Sequence, residues 1–265
     1  MTSHEPTLQQ VMTWAKESGR IALDGFHQIH HIQMKSALDV VTEIDHACER
    51  ALMDHIQRDF PTHAIITEET GEVKGDADHC WYIDPLDGTI NYSHRLPVYA
   101  TSIAYARNGK MQLGVVYDPS RDECFSAERG KGAWLNGEPI HVSACESLQK
   151  SLLTTGLSSW NEEHLDRNLR TIRYFTQNTQ GVRRLGSVAI AVCYAACGRT
   201  DGHWDLGSTP WDMAACALIV EEAGGMVTNL EGDPAYFKPP YDFSAGSPGI
   251  HRELLSAVKN TAGRS

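Results

Sequence analysis

The sequence predicts a layered fold of the α+β and α/β classes, in which sheets alternate with layers of helices. Strand-like segments are grouped in the first half of the 265-residue chain, and strand and helix patterns alternate in the second half. Each sheet and each helix has an apolar side to bury, so this order is typical of stacked layers. We expect a single domain over residues 1–265, with an α+β half at about 1–145 and an α/β half at about 146–265.

The first half begins with two predicted helices. Apolar residues recur at helical spacing over residues 5–27, which predicts an amphipathic helix. A second helix is predicted over residues 42–60, because Pro61 cannot continue it. Turn signals such as Asn108-Gly109 then join short strands into a predicted antiparallel meander. The predicted strands span residues 63–67, 80–84, 101–106, 111–117 and 123–127.

The second half alternates between the two patterns. Strands are predicted at residues 152–155, 202–205 and 226–228. Helices are predicted at residues 162–176, 188–197 and 211–223. Gly224 and Gly225 follow the last of these helices, and glycine is the usual residue just past a helix end.

Composition excludes several classes of protein. With 23 basic and 34 acidic residues the formal charge is −11, which argues against general binding to nucleic acid or to anionic membranes. No apolar run approaches the roughly 20 residues of a membrane span. The N-terminus lacks the basic-then-apolar order of a signal peptide. Seven cysteines without a CxxC pattern fit reduced thiols, so we expect a cytoplasmic protein.

Asp84 and Asp87 are the first candidate site residues. They follow an apolar, aromatic strand, and Pro85 and Gly88 place them on a sharp turn. Two carboxylates held in this way can share one hard cation, while the turn's N–H groups and the Thr89 hydroxyl face an anion. The alternative is that Asp-Pro and Asp-Gly are common turn dipeptides without further function.

Three other segments also offer carboxylates. Asp39 and Asp45 flank the start of the second helix, Glu68-Glu69 end a strand, and Asp212 begins the last predicted helix. Each has a structural alternative: acids that complement a helix dipole, a solvated strand end, or a helix-capping acid. Capping does not exclude a site role, since the first turn of a helix exposes its carboxylate in either case.

Together the acidic segments favour a magnesium site. Glu68, Asp84, Asp87 and Asp212 would repel one another in a single pocket. Bound Mg²⁺ would remove that conflict, because it takes oxygen ligands and keeps several waters that a phosphate can replace. The set contains no histidine or cysteine, which argues against zinc.

These segments closely resemble the inositol monophosphatase family of the lithium-sensitive, Mg²⁺-dependent phosphatases. The resemblance covers nearly the whole chain. It rests on Glu68-Glu69, Asp84–Thr89, Gly114–Pro119, Arg184–Ser187, Trp211–Ala215 and Glu222–Gly225. It implies an alternating αβαβα sandwich of the sugar-phosphatase type, a homodimer, a requirement for Mg²⁺ and inhibition by Li⁺.

The resemblance also implies metal ligands. Glu68, Asp84 and the Leu86 carbonyl would bind a first Mg²⁺. Asp84 would bridge to a second ion, which Asp87 and Asp212 complete. A third, weaker ion would touch Glu68, so the family implies two or three ions for each site.

Catalytic and supporting residues are implied in the same way. The Thr89 hydroxyl, paired with Asp45, and Glu68 would position and deprotonate the attacking water. Phosphate would be bound at Asp87 and by the N–H groups of Gly88 and Thr89. Lys35 and Glu69 would support this pocket from behind its ligands.

Substrate choice depends on the second half of the chain. Gly186, Ser187 and Val188 resemble the stretch that lines the sugar-ring pocket. Asp205 occupies a position where inositol monophosphatases usually have a glutamate that binds ring hydroxyls. Asp is one methylene shorter, so a hydroxyl contact could be lost, unless backbone drift or a water restores it.

Three functions remain open at this point. The resemblance favours hydrolysis of inositol 1-phosphate. Histidinol phosphate or another sugar phosphate is the alternative substrate, because an ammonium group would pair with Asp205. A transcription or RNA-processing factor of the same fold is the third possibility, with Arg183-Arg184 and residues 167–173 as the basic candidates. All four predicted carboxylate ligands are present, which favours an enzyme.

Overall fold

The computed structural model describes residues 5–28, 32–34, 40–157 and 162–262. Its α-helices are α1 (Leu8–Gly25), α2 (Glu43–Asp59), α3 (Thr89–Ser93), α4 (Glu162–Asn178), α5 (Val188–Ala196), α6 (Pro210–Glu222) and α7 (Pro248–Ala262). Within the described ranges, no helix is both long enough and apolar enough to span a membrane.

The described strands are distributed over both halves of the chain. In the first half they are β1 (Ile32–Met34), β2 (Val40–Thr42), β3 (His63–Thr67), β4 (Gly71–Val73), β5 (Asp76–Asp87), β6 (Ala100–Arg107), β7 (Lys110–Asp118), β8 (Glu123–Glu128), β9 (Gly132–Leu135) and β10 (Glu138–Pro139). In the second half they are β11 (Leu152–Thr155), β12 (Gly181–Arg183), β13 (Gly202–Asp205), β14 (Met226–Asn229) and β15 (Phe243–Gly246).

The larger sheet has eight strands, in the order β10-β9-β8-β7-β6-β5-β3-β4. From β5 onward each strand pairs antiparallel with the next, which confirms the predicted meander over that part. The prediction was wrong for residues 63–67, because β3 runs parallel to β5. The short edge strand β4, which was not predicted, reverses the chain once more between them.

The smaller sheet has five strands, in the order β12-β11-β13-β15-β14. β11 pairs parallel with both β12 and β13, and β15 pairs antiparallel with β13 and β14. All its strands come from residues after 151, whereas those of the larger sheet end at residue 139. β1 and β2 form a separate antiparallel pair.

Alternate side chains of the larger sheet pack against different helices. Trp81 and Ile83 of β5 lie in a core with α1 and α2, and Tyr82 between them packs against the core around α5 and α6. Since neighbouring side chains of a strand point to opposite faces, helices cover both faces of this sheet. Its strands are therefore nearly continuous apolar runs rather than alternating ones.

The layer order is α1/α2, the larger sheet, α5/α6, the smaller sheet and α4/α7. Residues 213–220 of α6 are fully buried between the two sheets. Gly114 of β7 allows α6 to approach, because a Cβ there would lie 2.8 Å from the Ala215 carbonyl oxygen. A third core around Trp204 and Phe175 joins the smaller sheet to α4 and α7. The αβαβα sandwich is thus confirmed.

Several elements escaped the sequence prediction. They are β1, β2, β4, β9, β10, β12, β15, α3 and α7. α7 did leave a signal: Pro248 starts it, and Ile250, Leu254 and Val258 are buried at helical spacing. The short strands left none, since runs of two to four residues are stabilised by their partners rather than by local pattern.

Candidate active site

Asp84 and Asp87 lie at the carboxyl end of β5, where its pairing with β6 is irregular. Asp84 pairs with Ser102 and Asp87 with Ala100, so β5 has one residue more than its partner over this interval. In a regular strand, residues three apart would point to opposite faces. The extra residue brings both carboxylates to one cleft, and Pro85 is tolerated because it lies within this bulge.

Gly88 forms the turn after these carboxylates. Its φ is 95°, and a Cβ there would lie 2.8 Å from the Val98 carbonyl oxygen. Thr89 is the first residue of α3, whose first-turn N–H groups have no acceptor within the helix. The two predicted phosphate-binding amides therefore lie at a helix start beside Asp84 and Asp87.

Asp45 reaches the site through Thr89. The Thr89 hydroxyl lies 2.8 Å from Asp45 Oδ1 and 3.0 Å from the Leu86 carbonyl oxygen. The other oxygen of Asp45 accepts the N–H and hydroxyl of Thr42, the N-cap of α2. Burial raises the pKa of Asp45, and the hydrogen bonds from Thr42 and Thr89 partly offset that rise. The capping role and the site role thus coexist in one carboxylate.

Glu68 lines the same cleft as Asp84, at the end of β3. Its loop is held by Glu49, a buried residue of α2 that sequence reasoning missed. Glu49 accepts the hydroxyl of Thr67 at 2.7 Å and the N–H of Glu69 at 3.0 Å. It also accepts the N–H and hydroxyl of Thr70. Glu69 follows Glu68 in this loop, and its predicted supporting role stays a prediction.

Asp212 approaches the cleft from the start of α6. Pro210 occupies the first turn of that helix, and Asp212 accepts the N–H of the N-cap Thr209 at 2.9 Å. This is the capping alternative of the sequence analysis. Asp212 nevertheless lines the cleft together with Glu68 and Asp84.

The converging carboxylates perturb one another. Burial raises the pKa of Asp84 well above its usual value, and the charges of Glu68, Asp87 and Asp212 raise it further. Burial, followed by the charge of Asp87, raises the pKa of Asp212. Burial also raises the pKa of Asp87 to about 6, against hydrogen bonds that lower it. A site with this much like charge is suited to a bound cation.

The donor set fits Mg²⁺. Glu68, Asp84, Asp87, Asp212 and the buried Leu86 line a cleft of about 210 Å³. No three His, Cys, Asp or Glu side chains of the described ranges already form the ligand set of one metal ion. The chemistry of the donors favours Mg²⁺, because this ion takes oxygen ligands, usually retains waters and needs only a few protein ligands.

A second cleft, of about 220 Å³, adjoins the first and shares Asp87, Asp212, Arg184 and Gly186 with it. Ser187 and Val188 line it at the start of α5. Asp87 accepts hydrogen bonds from the Ser187 hydroxyl at 2.5 Å and from the N–H groups of Val188 and Ala189 at 3.3 and 2.8 Å. They hold a predicted metal ligand in place, and contact with substrate stays a prediction for them.

Asp205 lies in the wall of this second cleft, at the end of β13. Its Oδ1 accepts the N–H of Leu206 at 2.8 Å, and its Oδ2 accepts the Ser208 hydroxyl at 3.1 Å. A Cβ added at Gly156 would lie 2.4 Å from Oδ2, so the carboxylate rests directly on that glycine. The Asp205 side chain, which is predicted to determine substrate choice, is therefore held by contacts with Leu206, Ser208 and Gly156.

Other lining residues were not predicted as site residues. Asn91 of α3 donates to the carbonyl oxygens of Val98 and Leu185, and so fixes Gly186 against the start of α3. Arg184, which was named above as part of the Arg184–Ser187 motif and as a basic candidate, is exposed and lines both clefts. Lys35 and Asp39 lie outside the described residues.

Known proteins resemble this chain over nearly its whole length. A model of the inositol monophosphatase family matches residues 3–262. The chain belongs to that family. An inositol-1-monophosphatase of Synechocystis sp. is 45% identical over 242 residues, covering 88% of this chain and 82% of that protein.

Other relatives of this family carry a different name. Nus factor SuhB of Pseudomonas aeruginosa is 37% identical over 262 residues, 96% of each chain. The crystal structure of extragenic suppressor protein suhB from Bartonella henselae has a TM-score of 0.91 at 34% identity, covering 95% of this chain and 97% of that one. As a member of the inositol monophosphatase family, the chain is a phosphate monoester hydrolase.

Proposed function

We propose that this protein is a Mg²⁺-dependent phosphatase of small polyol phosphates, with inositol 1-phosphate as its preferred substrate. The observation that carries the proposal is the convergence of Glu68, Asp84, Asp87 and Asp212 on one cleft. That cleft opens into a second one, which contains Asp205 and has room for a sugar-sized alcohol.

Glu68, Asp84, Asp87, Asp212 and the Leu86 carbonyl would hold two or three ions, as the family resemblance implies. When bound, Mg²⁺ would supply a more acidic water and neutralise charge that develops on the phosphate and the leaving oxygen. The N–H groups of Gly88 and Thr89 would orient the phosphate. Arg184 offers it a further positive charge at the mouth of both clefts.

Thr89 and Asp45 provide a path for the proton of the attacking water. When the Thr89 hydroxyl donates to Asp45 Oδ1, its oxygen can accept a proton from a water in the cleft. Asp45 would receive the transferred proton, and its raised pKa makes it a stronger base than an exposed aspartate. Glu68 would accept from the same water and fix its orientation.

The proposal is tested by measuring phosphate release from inositol 1-phosphate, histidinol phosphate, fructose 1,6-bisphosphate and 3′-phosphoadenosine 5′-phosphate. We expect release with Mg²⁺ that stops with EDTA and is inhibited by Li⁺. Asp84→Asn should nearly abolish release while the protein remains folded by circular dichroism. Wild-type rates in that variant would contradict the metal assignment.

A binding role is the second candidate function, since a relative that matches 96% of this chain is named Nus factor SuhB. If no member of the panel releases phosphate, a transcription or RNA-processing factor becomes the leading interpretation. The homodimer and the cytoplasmic location also belong to this proposal. All seven cysteines are free, which is consistent with a reducing compartment, and sedimentation velocity would measure the oligomeric state.

A further inference from the structure

His203 is a buried side chain of β13 that the mechanism above does not use. It is fully shielded from solvent and lines the second cleft with Asp205, two residues along the same strand. Its Nδ1 lies 2.9 Å from the Thr154 hydroxyl, but its Nε2 has no hydrogen-bond partner. Among the described residues, it is the one buried side chain with an unpartnered polar atom that borders this cleft.

The surroundings of His203 favour a proton on Nε2. The Thr154 hydroxyl lies 2.9 Å from Nδ1 and 3.4 Å from the Gly202 carbonyl oxygen, and the contact with Nδ1 can run in either direction. Nε2 lies 3.7 Å from Asp205 Oδ2, and a carboxylate favours a donor opposite it. With the proton on Nε2, Nδ1 accepts from the Thr154 hydroxyl.

The separation of these two atoms would allow one oxygen atom beside them to contact both. At 3.7 Å, Nε2 and Oδ2 are too far apart for a direct hydrogen bond. A hydroxyl oxygen can nevertheless lie about 2.8 Å from both, accepting from Nε2–H and donating to Oδ2. An unpaired buried donor next to a carboxylate is costly, so a bridging group would be bound strongly.

We propose that His203 and Asp205 form a hydroxyl-selective pair, which binds one hydroxyl of the substrate's leaving alcohol between Nε2 and Oδ2. The inference rests on the proposed phosphatase function and names the residues that would select its substrate. A hydroxyl satisfies both atoms because it donates and accepts. An ammonium group cannot accept from Nε2–H, so the pair selects polyol phosphates over the phosphates of amino alcohols.

The pair also explains how the shorter Asp205 can bind a hydroxyl. Its carboxylate is fixed by Leu206 N–H, Ser208 and Gly156, and it cannot move far toward a substrate. His203 supplies a second contact from the same strand, so the substrate hydroxyl would be oriented by two atoms rather than one. Specificity would then reside in the pair and not in the length of one acidic side chain.

The test measures kcat and KM for inositol 1-phosphate, its singly deoxygenated analogues, histidinol phosphate and 4-nitrophenyl phosphate. For the wild-type protein, loss of one particular hydroxyl should reduce kcat/KM about tenfold, mainly through KM. In His203→Phe, which keeps an aromatic ring but removes the N–H, that tenfold difference should disappear. The preference for inositol 1-phosphate over histidinol phosphate should fall by a similar factor.

His251→Phe is the matched control, because His251 is a buried histidine of α7 that donates or accepts at Thr228 and borders neither catalytic cleft. It should leave the substrate ranking unchanged. Equal kcat/KM for every deoxy analogue with the wild-type protein would overturn the pair, even if His203→Phe failed to fold. An unchanged ranking in a folded His203→Phe would overturn it as well.

The outcomes separate this inference from the proposed function. Absence of Mg²⁺-dependent release from 4-nitrophenyl phosphate and all other substrates would contradict the phosphatase itself. Release from 4-nitrophenyl phosphate with no discrimination among the inositol analogues would retain the phosphatase and reject the pair. Discrimination that persists in His203→Phe would show that Nε2 does not bind the substrate hydroxyl, and would also reject the pair.

Discussion

Two helices of the site begin with the same pattern, yet their carboxylates end in different surroundings. Thr42 caps α2 and Thr209 caps α6, and in each case an aspartate three residues later bonds back to the cap. Asp45 is fully buried and also accepts the Thr89 hydroxyl. Asp212 is partly exposed, lines the cleft and meets the charges of other carboxylates.

The comparison separates two sources of function. In both helices the capping box fixes the aspartate by satisfying backbone donors that would otherwise lack partners. Residues distant in sequence then determine what the remaining oxygen atoms meet. Asp45 meets a hydroxyl and can accept a proton, whereas Asp212 meets Asp87 and is suited to share a cation with it. Local sequence thus anchors the carboxylate, and tertiary contacts assign its role.

Asp212→Asn should have the largest effect on activity. Asparagine can still accept from Thr209 N–H, so the cap is retained, but the charge that would bind the cation is lost. We expect kcat/KM to fall about 10³-fold or more, measured as phosphate release at saturating Mg²⁺. Without Mg²⁺ the variant should melt at the wild-type temperature or above it, because repulsion with Asp87 is removed. A clear loss of stability would show that Asp212 is chiefly a structural cap.

Asp45→Asn should reduce activity less, by about 100-fold in kcat, because it removes a proton acceptor but no cation ligand. The distinguishing measurement is the rise in melting temperature on adding Mg²⁺. That rise should persist in Asp45→Asn and be much smaller in Asp212→Asn. Equal losses of the Mg²⁺ response in the two variants would remove the functional difference between the two caps.

Much of the fold was predictable because its strong signals are local. The helices at residues 43–59 and 210–222 were predicted within one or two residues, from caps, breakers and apolar spacing. The parallel placement of β3 was not predictable, because it depends on the three-residue strand β4. A strand that short is defined by its partner and not by its own sequence.

The candidate site divides in the same way. Asp84, Asp87 and Asp212 were predicted because turn and capping signals expose them, and they do line one cleft. Glu49 and His203 were missed because nothing near them in sequence indicates a role. Each is defined by contacts across the fold: Glu49 with the loop after β3, and His203 with the hydroxyl of Thr154 on the neighbouring strand.

The carboxylate cluster predicts how stability depends on pH and on metal. Burial raises the pKa of Asp87 to about 6, so between about pH 4 and pH 6 the folded protein holds a proton that the unfolded chain has released. In EDTA, stability should therefore fall as pH rises through this window, on the order of 3 kcal/mol for Asp87. Asp84 and Asp212 act in the same direction.

Mg²⁺ should reverse that loss, because a cation replaces the proton as the partner of the carboxylates. The measurement is urea unfolding from pH 4 to pH 8, with Mg²⁺ and with EDTA. Titrating groups remote from the site contribute equally to the two curves, so their contribution cancels in the difference. His251, whose pKa burial lowers to about 4, is one such group. A difference that does not grow with pH would contradict a shared cation site.

The smallest effects should come from substitutions of the N-cap threonines. They test whether the two caps contribute equally to the free energy of unfolding. Thr209→Ala should cost about 1 kcal/mol of unfolding free energy. Thr42→Ala should cost about 2 kcal/mol, because the Thr42 hydroxyl also donates to the buried Asp45 at 2.6 Å and its loss would leave that oxygen short of a donor.

Thr7→Ala removes the capping box of α1, where Thr7 is paired with Gln10. It is the control, with a cost of about 1 kcal/mol or less and full activity. If Thr42→Ala cost no more than Thr7→Ala, the hydroxyl bond to Asp45 would add nothing to the cap. The two aspartates would then differ only in what lies across the cleft from them.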